Sequence, residues 1–135
     1  MSIASFILIA ASVSPQIASV PTGQAIVNRC WEGHDHPQMS ACVNEQASAA
    51  RSSLARVELS LRESLARQHK TASVSLLRSA ADSYQAYRTK QCHLQGALAS
   101  AGNGAAEISL ACEAALDMAR SEQLKAGLEW VAPGA

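Results

Sequence analysis

Residues 92–112 read CHLQGALASAGNGAAEISLAC, a cysteine at each end and a glycine-bracketed asparagine between them. Gly102 and Gly104 tolerate positive φ, and Asn103 is the next most tolerant residue type, so a helix entering this stretch has to stop within it. Cys92 lies eleven residues before Asn103 and Cys112 nine after it. At about 1.5 Å of rise per residue, each thiol sits on the order of 15 Å from the turn. An antiparallel pair of helices joined here holds the two cysteines level. With suitable facing, their Cα atoms come within the roughly 4.4–6.8 Å that a disulfide requires. The stretch therefore predicts a helical hairpin stapled by Cys92–Cys112.

Beyond the turn, a helix is predicted from about Ala105 to Leu128, with Ile108, Ala111, Cys112, Ala115, Met118, Ala119 and Leu124 inward. Before it, Leu77, Ala80, Tyr84, Tyr87, Gln91, Leu94 and Leu98 recur at spacings of three and four, the mark of a helical face. Val43, Ala47, Ala50, Leu54, Val57, Leu61 and Leu65 repeat the same rhythm further upstream. That first long helix leaves Arg51, Arg56, Glu58, Arg62 and Glu63 largely off its apolar stripe. Pro37 suits its first turn or the position just before. The two upstream helices are separated at HKTASV, residues 69–74, where Thr71 or Ser73 can cap a new helix; one long helix through this segment is the competing reading. No strand alternation, internal repeat or low-complexity linker interrupts the pattern. The fold class is all-α, with three long antiparallel helices in a small disulfide-stapled bundle.

Ahead of the bundle, the first twenty residues carry no charge and contain the apolar run Phe6-Ile7-Leu8-Ile9-Ala10-Ala11. This pattern predicts a secretory signal peptide over residues 1–19, and the run falls short of the roughly 18–20 residues that span a bilayer. The context of Cys30 is not that of a lipid-anchoring cysteine, so cleavage is expected to leave no membrane anchor. The expected division is signal peptide 1–19, N-terminal loop 20–37, helical domain 38–129 and C-terminal tail 130–135. The expected location is periplasmic or secreted. In an oxidising compartment an even count of four cysteines reads first as two disulfides. With Cys92 assigned to Cys112, elimination joins Cys30 to Cys42 and closes CWEGHDHPQMSAC, residues 30–42, into a loop. The competing readings are four free thiols in a reducing compartment, or zinc held by Cys30, His34, His36 and Cys42. The His-x-His and Cys-x11-Cys spacings do not match structural zinc pairs, and oxidation removes half the ligands, so no metal is expected.

At 135 residues and 48% apolar, the chain fits one domain with a packed core. With two Trp, two Tyr and one Phe, that core must rest on aliphatic residues and many alanines, which favour closely approaching helices. The formal net charge of zero argues against nucleic acid as a partner. Charge is nevertheless segregated: residues 51–90 hold eight Lys/Arg against three acids, and residues 105–135 two against five. Two readings follow: neutralisation between packed helices, or a negative face formed by Glu32, Asp35 and the last helix for a cationic partner. Glu113 and Asp117, at i and i+4, read as a solvated stripe rather than an acid/base pair. Arg88 lies fifteen residues before Asn103 and Asp117 fourteen after it, with Arg120 a turn further on. They read either as an ion pair tying two helices or as an exposed recognition site. No nucleophile stands near a base at a recognisable spacing, and the glycines lack the Lys-Ser/Thr ending of a phosphate loop, so neither an enzyme nor a cofactor is expected.

The series Cys30, QMSAC ending in Cys42, SYQAYRTKQC ending in Cys92, GNGAAEISLAC ending in Cys112, and MARSEQL with Arg120 resembles the LprI-like family of lysozyme inhibitors, over about residues 28–125. The most specific part is Tyr84, Tyr87, Arg88 and Cys92 followed by the glycine turn and another cysteine. The chain departs from the family pattern at Tyr84, where the family has Trp, and in ARSSLA, where Arg51 and Ala55 replace an acid and an amide. The resemblance implies a small helical binding domain of the periplasm or exterior, with a lysozyme-type muramidase as partner. Binding by occlusion is expected through the segment holding Trp31, His34, Asp35 and His36, the 102–104 turn, or both. The alternative is an envelope-associated structural protein that binds peptidoglycan or another periplasmic protein through its arginine-rich first long helix.

Overall fold

A computed structural model describes residues 19–99 and 104–131. Four helices follow one another: α1 Gly23–Trp31, α2 His36–Arg67, α3 Thr71–Ala99 and α4 Ala105–Val131. The three long helices run up, down and up, so α2 and α4 are parallel and α3 is antiparallel to both. Residues 1–18, where a signal peptide is expected, residues 100–103, which hold most of the expected turn, and residues 132–135 of the expected tail lie outside the described residues.

Helix α1 occupies the segment expected to be a loop. Its nine residues are too few to persist alone in water, so periodicity is weak and tertiary packing supplies the stability. Thr22 caps it by accepting from the Ala25 N–H, and Ile26, Val27 and Cys30 form its buried face. Gly23 is needed at its start because a Cβ there would stand 3.0 Å from the backbone N of Cys112. The missing side chain lets α1 lie directly on the backbone of α4.

Asp35 starts α2 with a capping box: its carboxylate accepts from the Gln38 N–H, and the Gln38 side chain accepts from the Asp35 N–H, both at 3.0 Å. Pro37 sits in that first turn, where its lack of an N–H costs nothing. The buried residues Met39, Val43, Ala47, Ala50, Leu54, Leu61 and Leu65 follow the stripe read from sequence, with Val57 half-buried.

The α2–α3 break is made differently from expectation. Thr71 is already helical, and the stop comes from His69 at φ 56°, with His69 N–H donating to the Ala66 carbonyl and Lys70 N–H to the Leu65 carbonyl. This is a Schellman end with histidine in the left-handed position that usually holds glycine.

Helix α3 also differs in rotation. Its buried residues are Arg88, Cys92 and Gly96, continued by the half-buried Leu77, Ala81 and Tyr84. Tyr87, Leu94 and Leu98, expected inside, are exposed. The core-facing residues near the hairpin end are small, ionic or disulfide-bonded, which hydropathy does not score as a core face. Gly96 permits close contact with α4: a Cβ there would lie 2.7 Å from the Ala105 carbonyl oxygen.

Helix α4 touches the other three and is buried on several sides, at Glu107, Ala111, Cys112, Ala114, Asp117, Ser121 and Leu124. It continues to Val131, beyond the expected boundary at 129, and the Gln68 side chain donates to the Val131 carbonyl where α2 and α4 end together. Two apolar clusters result. One joins Ile26, Val27, Cys30, Met39, Val43, Ala47 and Ala50 to Ala111 and Ala114, and the other joins Leu54, Leu61 and Leu65 to Leu124. Disulfides Cys30–Cys42 and Cys92–Cys112, with Cα atoms 5.6 and 5.4 Å apart, tie α1 to α2 and α3 to α4. Among the described residues, no helix is long and apolar enough to cross a membrane.

Candidate functional site

Between the two apolar clusters lies a polar clasp joining α3 to α4. Asp117 is 1% exposed, and both its carboxylate oxygens accept from Arg88 Nη1, at 3.0 and 2.7 Å. The Tyr84 hydroxyl donates to Asp117 Oδ1 at 2.7 Å, and the Arg120 guanidinium stands 5.5 Å from the Tyr84 ring centroid. Glu113, one turn earlier, lies 3.0 Å from Arg51 on α2 and 3.9 Å from Arg88. Burial works against the charge on Arg88, yet hydrogen bonding to Asp117 and the charges of Asp117 and Glu113 outweigh it and raise its pKa. Burial, the hydrogen bond to Asp117 and the Asp117 charge push the Tyr84 hydroxyl far above the ordinary tyrosine range. Glu58 is raised as well, chiefly by burial.

Glu113 and Asp117 are thus inward partners of arginines and not a solvated stripe. Glu107 is buried too, so α4 contributes few free charges to a negative face, and Arg51 and Arg88 are neutralised across packed helices by Glu113 and Asp117. Of the residues singled out in this region, Tyr84, Arg88, Asp117 and Arg120 come together, while Tyr87 points away. Sequence reading missed Arg51 and Glu113 as a pair, because level positions on two parallel helices joined through a third are not marked by any local spacing.

A second group sits at the α1–α2 corner, residues 31–37. Trp31 ends α1 and is 44% exposed, with its ring centroid 6.0 Å from that of His36. His34 Nδ1 donates to the Cys30 carbonyl at 2.9 Å, Asp35 is the α2 cap, and His36 Nε2 is 3.9 Å from Glu107 Oε1. The Cys30 and Cys42 sulfurs are bonded to each other, and no group of three or more His, Cys, Asp or Glu is placed to hold a metal among the described residues. The corner is a short, fixed turn carrying an exposed aromatic ring and the exposed acids Glu32 and Asp35.

The family model described as lysozyme inhibitor LprI matches residues 30–124, from the first cysteine to Leu124 of the second apolar cluster. The chain belongs to the LprI lysozyme-inhibitor family. No curated protein and no solved structure matches it. The LprI match takes in all four cysteines, the corner and the polar clasp, and it begins inside α1, seven residues after that helix starts. Within the matched range, the Tyr84 hydroxyl reaches Asp117 and Arg51 reaches Glu113.

Proposed function

We propose that this LprI-family chain is a secreted or periplasmic, non-enzymatic inhibitor that binds a lysozyme-type muramidase and occludes its cleft with the α1–α2 corner. Family membership supports the class of target. The observation that carries the choice of surface is Trp31, half-exposed at a turn fixed by the Cys30–Cys42 bond, the His34 contact to the Cys30 carbonyl and the Asp35 capping box. An aromatic anchor on a turn that needs no ordering loses little entropy on binding, which is what an occluding tip requires. Glu32 and Asp35 beside it favour a cationic partner and speed its approach at low salt. The clasp, being buried, acts by holding α3 against α4.

The test is titration of the oxidised protein into muramidases of different lysozyme types, following complex formation by calorimetry and cell-wall lysis by turbidity. Stoichiometric loss of lysis by at least one type, weakened by salt, is the expected result. No complex with any type at micromolar concentration contradicts the assignment.

A further inference from the structure

Between α2 and α3 lies a hollow of about 100 Å³ lined by Glu58, Arg62, Leu77, Arg78, Ala81 and Asp82. Counted from His69 in the turn, Arg62 stands seven residues back and Arg78 nine forward, Glu58 eleven back and Asp82 thirteen forward. In antiparallel helices each like-charged pair is therefore level to within about 3 Å along the axis. Two guanidiniums belong to the end nearer the turn, and two carboxylates to the end roughly 6 Å further on. Like charges opposed in this way repel unless a counter-charge lies between them.

The fold does not supply that counter-charge. Within each helix the opposite charges, Glu58 with Arg62 and Arg78 with Asp82, stand at i and i+4, the spacing at which ion pairs commonly form. Yet none of the four joins an ion pair among the described residues. Arg62, Arg78 and Asp82 are exposed, whereas Glu58 is half-buried. Burial holds the Glu58 carboxyl above its ordinary pKa against the opposing charges of Arg120 and Arg62, and a cation beside it would lower it again. Leu77 and Ala81, half-buried, give the hollow an apolar wall between its charged ends. A small zwitterion answers both like-charged pairs at once, and a hollow this small admits such a head group with a short side chain rather than a sugar chain.

We propose that the hollow between α2 and α3 binds the ammonium–carboxylate head of an α-amino acid, with Arg62 and Arg78 on its carboxylate and Glu58 and Asp82 on its ammonium. A free amino acid carries this head, and so does the unlinked end of a diamino-acid side chain in a cell-wall peptide. The site is separate from the α1–α2 corner: Glu58 lies 22 residues along α2 from His36, on the order of 33 Å.

Titration of the isotope-labelled, oxidised protein with glycine, alanine and meso-diaminopimelate, followed by amide NMR shifts, tests it. Saturable shifts centred on residues 58–62 and 77–82 are expected, with a dissociation constant at or below about 5 mM for at least one of the three. N-acetylglycine and glycinamide, each lacking one pole, should bind at least about tenfold more weakly than glycine. Arg78→Gln and Asp82→Asn, both at exposed positions, should each weaken binding at least about tenfold with an unchanged melting temperature. Whether alanine or a muropeptide with an unlinked diaminopimelate end binds more tightly distinguishes the free amino acid from the wall peptide. No saturable shift with any of these probes up to about 50 mM, equal binding of a probe lacking one pole, or binding indifferent to both substitutions would overturn the proposal.

Discussion

Asp117 shows how much of this bundle's specificity rests on one carboxylate. It accepts from Arg88 and Tyr84 on α3, and the Ser121 hydroxyl donates to its carbonyl within α4. Replacing a buried ion pair by well-packed apolar residues can be neutral, but removing one partner strands the other charge. Asp117→Ala is therefore expected to lower unfolding free energy by about 3–5 kcal/mol in urea titrations. Arg88→Met/Asp117→Leu should cost less than the single change. Tyr84 adds a pH dependence whose sign follows from the raised pKa of the folded state. Above about pH 10 the unfolded tyrosine loses its proton while the folded one keeps it, so stability declines as pH rises. Tyr84→Phe should make the decline between about pH 9 and 11 shallower, as read from urea midpoints across that range.

At the scale of elements, the clearest unused stability lies at the α2–α3 turn. His69 holds φ 56° without a glycine's freedom, on an exposed surface. His69→Gly is expected to raise stability by roughly 0.5–1 kcal/mol, visible as a higher melting temperature with no change in helical content. The long helices were legible because α2 repeats its apolar residues over 32 positions and α4 follows glycines that force a stop. Helix α1 was not, since nine residues give too little periodicity and its dependence on Gly23 meeting the Cys112 backbone is a tertiary fact. The rotation of α3 differs from expectation for a related reason: its apolar repeat continues through Tyr87, Leu94 and Leu98, which are exposed, whereas its core side near the hairpin end uses Arg88, Cys92 and Gly96. Arg88 and Asp117 were recognisable as level by counting residues from the turn. Glu113 was not, because its partner Arg51 lies on a helix that the hairpin does not contain.

Across the whole molecule, α4 is the post to which the others attach, and the two disulfides close its periphery. In the chain-entropy account, a loop of the size closed by Cys92–Cys112 contributes about 3 kcal/mol. Cys92→Ser/Cys112→Ser should lose about that much by urea unfolding, while the proposed inhibition is expected to persist at temperatures where the protein stays folded, because the corner is held by its own bond, Cys30–Cys42. The presenting role proposed for the corner is tested most directly by the inhibition constant of the Trp31→Ala protein against a muramidase blocked by the wild type. A loss of at least about tenfold with an unchanged melting temperature is the predicted result. Inhibition equal to that of the wild type would contradict it.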